Sequence, residues 1–236
     1  MVRLCDVAPD GSSTLITRGV LNLTHRDSHE YPQPLQPGTR YLVEFPLIAI
    51  GYAIPAGHQI RVAVAPAYWP IVWPSPKATR LTLHAPRSRV LLPVRSCGQD
   101  GPFPFPDAEY VQPFEHEPLE GFSRGTVTRD LATGSVVIVN EERGGYTWSE
   151  FGKPTRNYSM LRDTFEITDD DPTSAKVTSH RRTDLSRDGW ENHVIASGEL
   201  TCDEESFHVK TQITAYHKEE PIFERHWQFA FPRDLT

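Results

Sequence analysis

The sequence predicts an all-β protein, a sandwich or barrel followed by an antiparallel meander. Three observations carry that prediction. Proline is abundant, 21 of 236 residues, and an interior proline removes a helical hydrogen bond and clashes with the preceding turn. Apolar residues recur every second position over short runs, the period of a strand with two unlike faces. Turn-forming clusters separate the runs at short intervals, the spacing of sandwiches and barrels.

The elements follow in order. Residues 2–7 and 13–19 flank Pro9-Asp10-Gly11, a turn with the chemistry of a hairpin. Tyr41, Val43, Phe45 and Leu47 alternate with Leu42, Glu44 and Pro46, which predicts a strand. The apolar stretch 46–56 predicts a buried strand pair. Ile60, Val62 and Val64 alternate with Arg61 and Ala63 after the turn Pro55-Ala56-Gly57. Two more short strands are predicted over 80–84 and 89–94.

Residues 96–120 change character. They hold five prolines and several acids without periodicity, the composition of a stiff extended connector. Phe103, Phe105 and Phe114 are expected to pin it to a surface. The domains are therefore drawn at 1–95, 96–120 and 121–236. Beyond the connector lie the apolar run Val136–Val139, the pair Phe165 and Ile167, and the stripe Phe207, Val209, Thr211, Ile213 and Ala215. A last stripe, Phe223, Arg225, Trp227, Phe229 and Phe231, completes a predicted meander of about six strands. Its aromatics read as core. Turns are expected within 168–174 and 186–190, where Asp, Gly and Ser collect.

Bulk composition narrows the function. The net charge of −7 and the lack of a basic stripe with interleaved aromatics speak against nucleic acid. The longest apolar stretch has 11 residues and proline at both ends, while a spanning helix needs about 20. No apolar leader is visible at the N-terminus, so no membrane partner is expected. Cys5, Cys97 and Cys202 are odd in number and far apart. Free thiols in a reducing cytoplasm are the expectation.

An ordered set of short motifs carries a family resemblance. It runs Val2-Arg3-Leu4, Asp6-Val7, Pro9-Asp10-Gly11, Thr17-Arg18-Gly19, Pro34-Leu35, Pro37-Gly38, Gly57-His58-Gln59-Ile60-Arg61 and Trp69-Pro70, with Pro74 and Pro76 beyond. Over residues 2–83 this set resembles the latter part of the C-terminal β-sandwich domain of the X-Pro dipeptidyl peptidase and cocaine esterase (CocE/NonD) hydrolases. Residues 107–236 are similar to a β extension carried by some members.

The resemblance implies a jelly-roll, galactose-binding-like β-sandwich, N-terminally truncated, with the meander as its extension. It implies a non-catalytic, accessory role: stabilising, capping or oligomerising an α/β-hydrolase that cleaves esters or X-Pro peptides. In the family, further sandwich strands and the hydrolase domain precede the strand that begins here at Val2. The expectation is a split, proteolysed or stand-alone relative with an exposed sheet edge. That edge would pair with a second copy or with a hydrolase subunit. The alternative is a stand-alone β-sandwich binding module, with carbohydrate as its candidate ligand and Tyr68, Trp69 and Trp73 as the interaction surface.

No catalytic, cofactor-binding or metal residue is assigned. Gly121-Phe122-Ser123-Arg124-Gly125 matches the pattern of a nucleophile elbow. An elbow needs a strand before it and a helix after it, and the flanking sequence offers loop and strand. His25 and His29 lie in a polar loop without a zinc-like ligand set. Glu115-His116-Glu117 reads as a surface cluster. His58 is expected to bond backbone or a carboxylate and hold the start of its strand. Asp169-Asp170-Asp171 lacks the glycine and distal glutamate of a calcium loop.

Overall fold

The computed structural model describes residues 1–94, 104–110, 115–150 and 152–235. Every regular element of more than three residues is a strand, and every strand pair is antiparallel. The strands form two sheets in a sandwich-like arrangement. One has three strands in the order β2-β1-β3 and the other seven in the order β10 to β4.

The small sheet is built on β1 (Val2–Val7), paired with β2 (Ser13–Gly19) and β3 (Gln59–Val64). The β1–β2 turn forms as its residues dictate. Gly11 takes φ 87°, open to a residue without Cβ, and the Asp10 carboxylate accepts from Ser12 N at 2.9 Å. Leu4, Cys5, Val7 and Ile16 are buried here and make up nearly all of the described core.

Five predicted strands of this half do not form. Residues 41–48 run extended, and burial alternates along them, Tyr41, Val43, Phe45 and Leu47 half-buried against exposed neighbours. The period-two pattern is real, yet the ladder is missing. The segment lies beside β2, where Ile48 N donates to Arg18 O at 3.0 Å and Thr17 Oγ1 to Ile48 O at 2.6 Å. Gly19 permits this approach, since a Cβ there would sit 2.8 Å from Leu47 and 2.9 Å from Pro46 O. Residues 46–56, 80–84 and 89–94 are likewise without strands, and apart from Leu47 their apolar side chains are exposed, Leu91 among them at 72%. A strand is stable only with partners for its backbone groups, and among the described residues these segments gain no strand ladder, the Ile48 bonds to β2 being isolated ones.

The large sheet is a continuous meander of seven strands where the sequence predicts about six. These are β4 (His116–Arg129), β5 (Ser135–Glu150), β6 (Lys153–Thr168), β7 (Asp171–Arg187), β8 (Trp190–Cys202), β9 (Ser206–His217) and β10 (Glu220–Pro232). β4 begins inside the stretch read as connector. Cys97, Phe103 and Phe114 lie outside the described residues, while Phe105 is largely exposed. The tight turns fall where predicted. Asp188-Gly189 takes φ of 51° and 79°, the two positive values of a two-residue hairpin turn.

Register gives the sheet two unlike faces. One cross-strand row reads Val127, Ile138, Phe165, Val177, Leu200, Val209 and Phe229. A row on the opposite face reads Arg124, Glu141, Arg162, His180, Ser197, Gln212 and His226. An antiparallel sheet of this kind turns its polar face to water and its apolar face to a core. Here only one corner of the apolar face is covered, as described below.

The uncovered area is large. The chain exposes 17905 Å², against about 10,700 Å² for a folded monomer of this mass. No large side chain is fully buried among the described residues. The β10 phenylalanines, expected as core, stand open: Phe223, Phe229 and Phe231 are about half exposed, at 49%, 48% and 50%, while Trp227 between them is half-buried. The pattern was right about their shared face, but β10 is an edge strand, and no strand of the described residues lies over it.

Candidate interaction surface and the joint between the sheets

The loop after β3 holds Tyr68, Trp69 and Trp73, the predicted interaction residues, all half-buried. They join the two sheets. On one side, Arg3 and Arg18 of the small sheet lie over the Tyr68 ring at 5.9 and 5.6 Å, and Arg18 Nη1 donates to its hydroxyl at 3.3 Å. On the other, Trp69 meets Phe165 edge-on at 6.4 Å and Trp73 meets Phe207 at 5.5 Å. The two indoles pack edge-to-face at 5.0 Å, a favoured aromatic geometry. Trp73 Nε1 donates to Cys202 Sγ at 3.2 Å. Trp69 Nε1 is buried without a hydrogen-bond partner among the described residues.

Arg233, just beyond β10, seals the joint. Its Nη2 donates to Pro74 O at 2.6 Å and its Nη1 to Asp203 O at 3.0 Å, with the guanidinium over Phe207 at 4.6 Å. Asn22 Nδ2 and Thr24 Oγ1 both donate to Leu235 O at 2.8 Å. Cys202 and Arg233 carry no local signal in the sequence, because their partners lie 129 and 159 residues away.

A second cluster sits in the small sheet. Asp6, 5% exposed, accepts from the Tyr52 hydroxyl at 2.8 Å and lies 2.8 Å from His58 Nδ1. A buried carboxylate is tolerated when its lone pairs are met, and here two partners meet them. The bond to Asp6 raises the Tyr52 phenol above its usual value, because it favours the protonated donor. His58 therefore does hold the start of β3, through a carboxylate. The sequence signal for Asp6 was an acid placed opposite Ile60 in an apolar strand pair.

These features sit in a region with a known pattern. Residues 1–101 match the X-Pro dipeptidyl-peptidase C-terminal non-catalytic domain. The Asp6 cluster and the Tyr68, Trp69 and Trp73 side of the joint lie inside the matched residues, while Phe165, Cys202, Phe207 and Arg233 lie beyond the match with the seven-stranded sheet. No curated protein and no solved structure matches the chain.

The remaining candidates fall into place around the domain. Ser123 sits within β4, paired across to Glu142, whose carboxylate its hydroxyl meets at 3.5 Å. It lies on a paired strand rather than a strand-to-helix turn, so it has none of an elbow's geometry. The His25 and His29 rings lie 5.5 Å apart, tilted to each other, in their loop, and His116 packs edge-on against Tyr146. Asp169 pairs with Arg129, and the Asp171 carboxylate accepts from Thr173 and Ser174. The Thr173 hydroxyl holds Asp171 below the usual carboxylate range. Among the described residues no group of three or more His, Cys, Asp or Glu is placed to hold a metal ion. No helix there is long and apolar enough to cross a membrane.

Proposed function

We propose that this chain is the non-catalytic portion of a CocE/NonD-type serine hydrolase. Cleavage of an ester or X-Pro acyl bond takes place on an α/β-hydrolase domain or subunit outside these 236 residues. The chain stabilises, caps or oligomerises that catalytic body. The match of residues 1–101 to a domain described as non-catalytic carries the reading. Two physical observations support it. Strand-type segments at 41–48, 80–84 and 89–94 have no ladder partners among the described residues. The surface left open exceeds that of a self-contained fold by several thousand Å².

Activity-based labelling tests the reading. A fluorophosphonate probe modifies an activated serine nucleophile. An antibody against this chain is expected to precipitate a labelled protein from source cells, as one longer polypeptide or as a bound subunit. The purified chain alone is expected to leave p-nitrophenyl acetate unhydrolysed. Turnover by the chain that disappears in Ser123→Ala, or a precipitate without any labelled serine hydrolase, would overturn the proposal.

A further inference from the structure

The two edges of the seven-stranded sheet are built differently. β4 is guarded. It carries Pro118, a register break between Leu119 and Phe122, Gly121 and Gly125, and charges at Glu117, Glu120, Arg124 and Arg129. Proline, bulges and charges are the means by which proteins keep edge strands from pairing. β10 has its prolines and its register break toward the ends, Pro221 and Pro232 with the break between Pro221 and Phe223, and its charges in the first half, at Glu220, Glu224 and Arg225. From Phe223 to Pro232 its ladder with β9 runs without a break, and Trp227–Phe231 is uncharged. Among the described residues, Phe223–Phe231 make no backbone hydrogen bond outside the β9 ladder. Such a window of uncharged, β-forming residues on an open edge is a template for another strand.

We infer that β10 pairs antiparallel with β10 of a second copy of this chain, joining the two large sheets through a two-fold axis. Three observations select this occupant. First, self-pairing about a two-fold preserves side-chain parity, so stripe meets stripe. With the axis at residue 226 or 227, Phe223 falls opposite Phe229 or Phe231 of the second copy. Arg225 falls opposite Trp227 or Phe229. Within one chain the Arg225 guanidinium already lies over the Trp227 ring at 5.4 Å, the same cation–π chemistry. Second, the pairing closes about ten ladder hydrogen bonds, the number a standard interface carries. Third, the guarded β4 edge blocks the β4-to-β10 contact that would propagate a filament, so association closes at two. The inference stands independently of the hydrolase reading, because it needs only the chain itself.

The cross-strand row that ends in Phe229 on β10 begins with Val127 on β4, which is 71% exposed. That symmetry supplies the control. Light scattering on the full chain at micromolar concentration is expected to give twice the 26.7 kDa chain mass. Phe229→Lys is expected to weaken self-association at least tenfold, while Val127→Lys leaves the dimer intact. Should Phe229→Lys fail to fold, hydrogen exchange on the unmodified chain decides. Amides of 223–231 are expected to slow with rising protein concentration, and those of 122–129 to stay constant. A monomer at every concentration, an open-ended rise in mass, or equal loss in both variants overturns the inference. So does exchange in β10 that ignores concentration.

Discussion

The two sheets differ in where their partners lie along the chain. Each strand of the seven-stranded sheet pairs with its neighbours in sequence, across turns of a few residues. The three-stranded sheet must bring β3 back to β1 across about forty residues that form no strand. Local pairing satisfies the ladder at small loop-closure cost, while distant pairing meets that cost before any contact repays it. The inner strands of the meander are therefore paired on both sides, yet the sheet is poor in buried side chains. The small sheet holds almost all of the core, yet has strand-type segments left over. Hydrogen-bonded order and hydrophobic burial have been divided between two regions, linked by the aromatic joint and the Arg233 and Leu235 bonds beside it.

That division can be tested by cutting at different places. The largest effect is expected at the joint. Trp73→Ala removes the contact with Phe207 and the bond to Cys202 and should cost about 3 kcal/mol. In urea, unfolding of the chain should split into two transitions as the sheets uncouple. A single transition with unchanged midpoint would mean that the joint contributes nothing.

Next comes Asp6→Ala, which leaves the Tyr52 hydroxyl and His58 without their acceptor. A cost of about 2 kcal/mol is expected, confined to the small sheet. Hydrogen exchange should quicken in β1–β3 and stay unchanged in β6–β9. Equal acceleration in both sheets would show that they fold as one unit.

A smaller effect is expected from Gly189→Ala. The positive φ of 79° at this turn disfavours a Cβ by about 1 kcal/mol. Exchange should quicken around the β7–β8 turn while the thermal midpoint of the small sheet holds. The smallest effect lies at Asp203. His208 beside it, with the backbone amides of Glu205 and Ser206, lowers its carboxyl to about 2 from 3.8. A carboxyl lowered by folding stabilises fully above its unfolded value, and that contribution fades as pH falls through the folded value. Asp203→Asn should match the parent below about pH 2 and be slightly less stable above about pH 4, as read by acid titration of circular dichroism.

The sequence was most legible where structure is local. Period-two runs and Asp-Gly turns located the strands and hairpins of the meander, because those features need no distant partner. At 41–48 the same pattern correctly gave the alternating burial but overstated the structure. Alternation reports which side chains face inward, and it is silent on whether a neighbouring strand exists. β4 was partly missed because Pro118 and the acids around it read as connector, the same residues that guard the edge. The role of Tyr68, Trp69 and Trp73 was visible only as a cluster. Its target, formed by Phe165, Cys202 and Phe207, is assembled from three strands more than ninety residues away.

The tail that follows β10 also imposes an order in time. Pro74, Asn22 and Thr24 are made early on the ribosome, yet their partners Arg233 and Leu235 are the last described residues to emerge. Chains grow at about 5–20 residues per second, so the loop that carries Trp73 waits roughly ten seconds or more for its clasp. Throughout that interval the small sheet is free to settle against another surface.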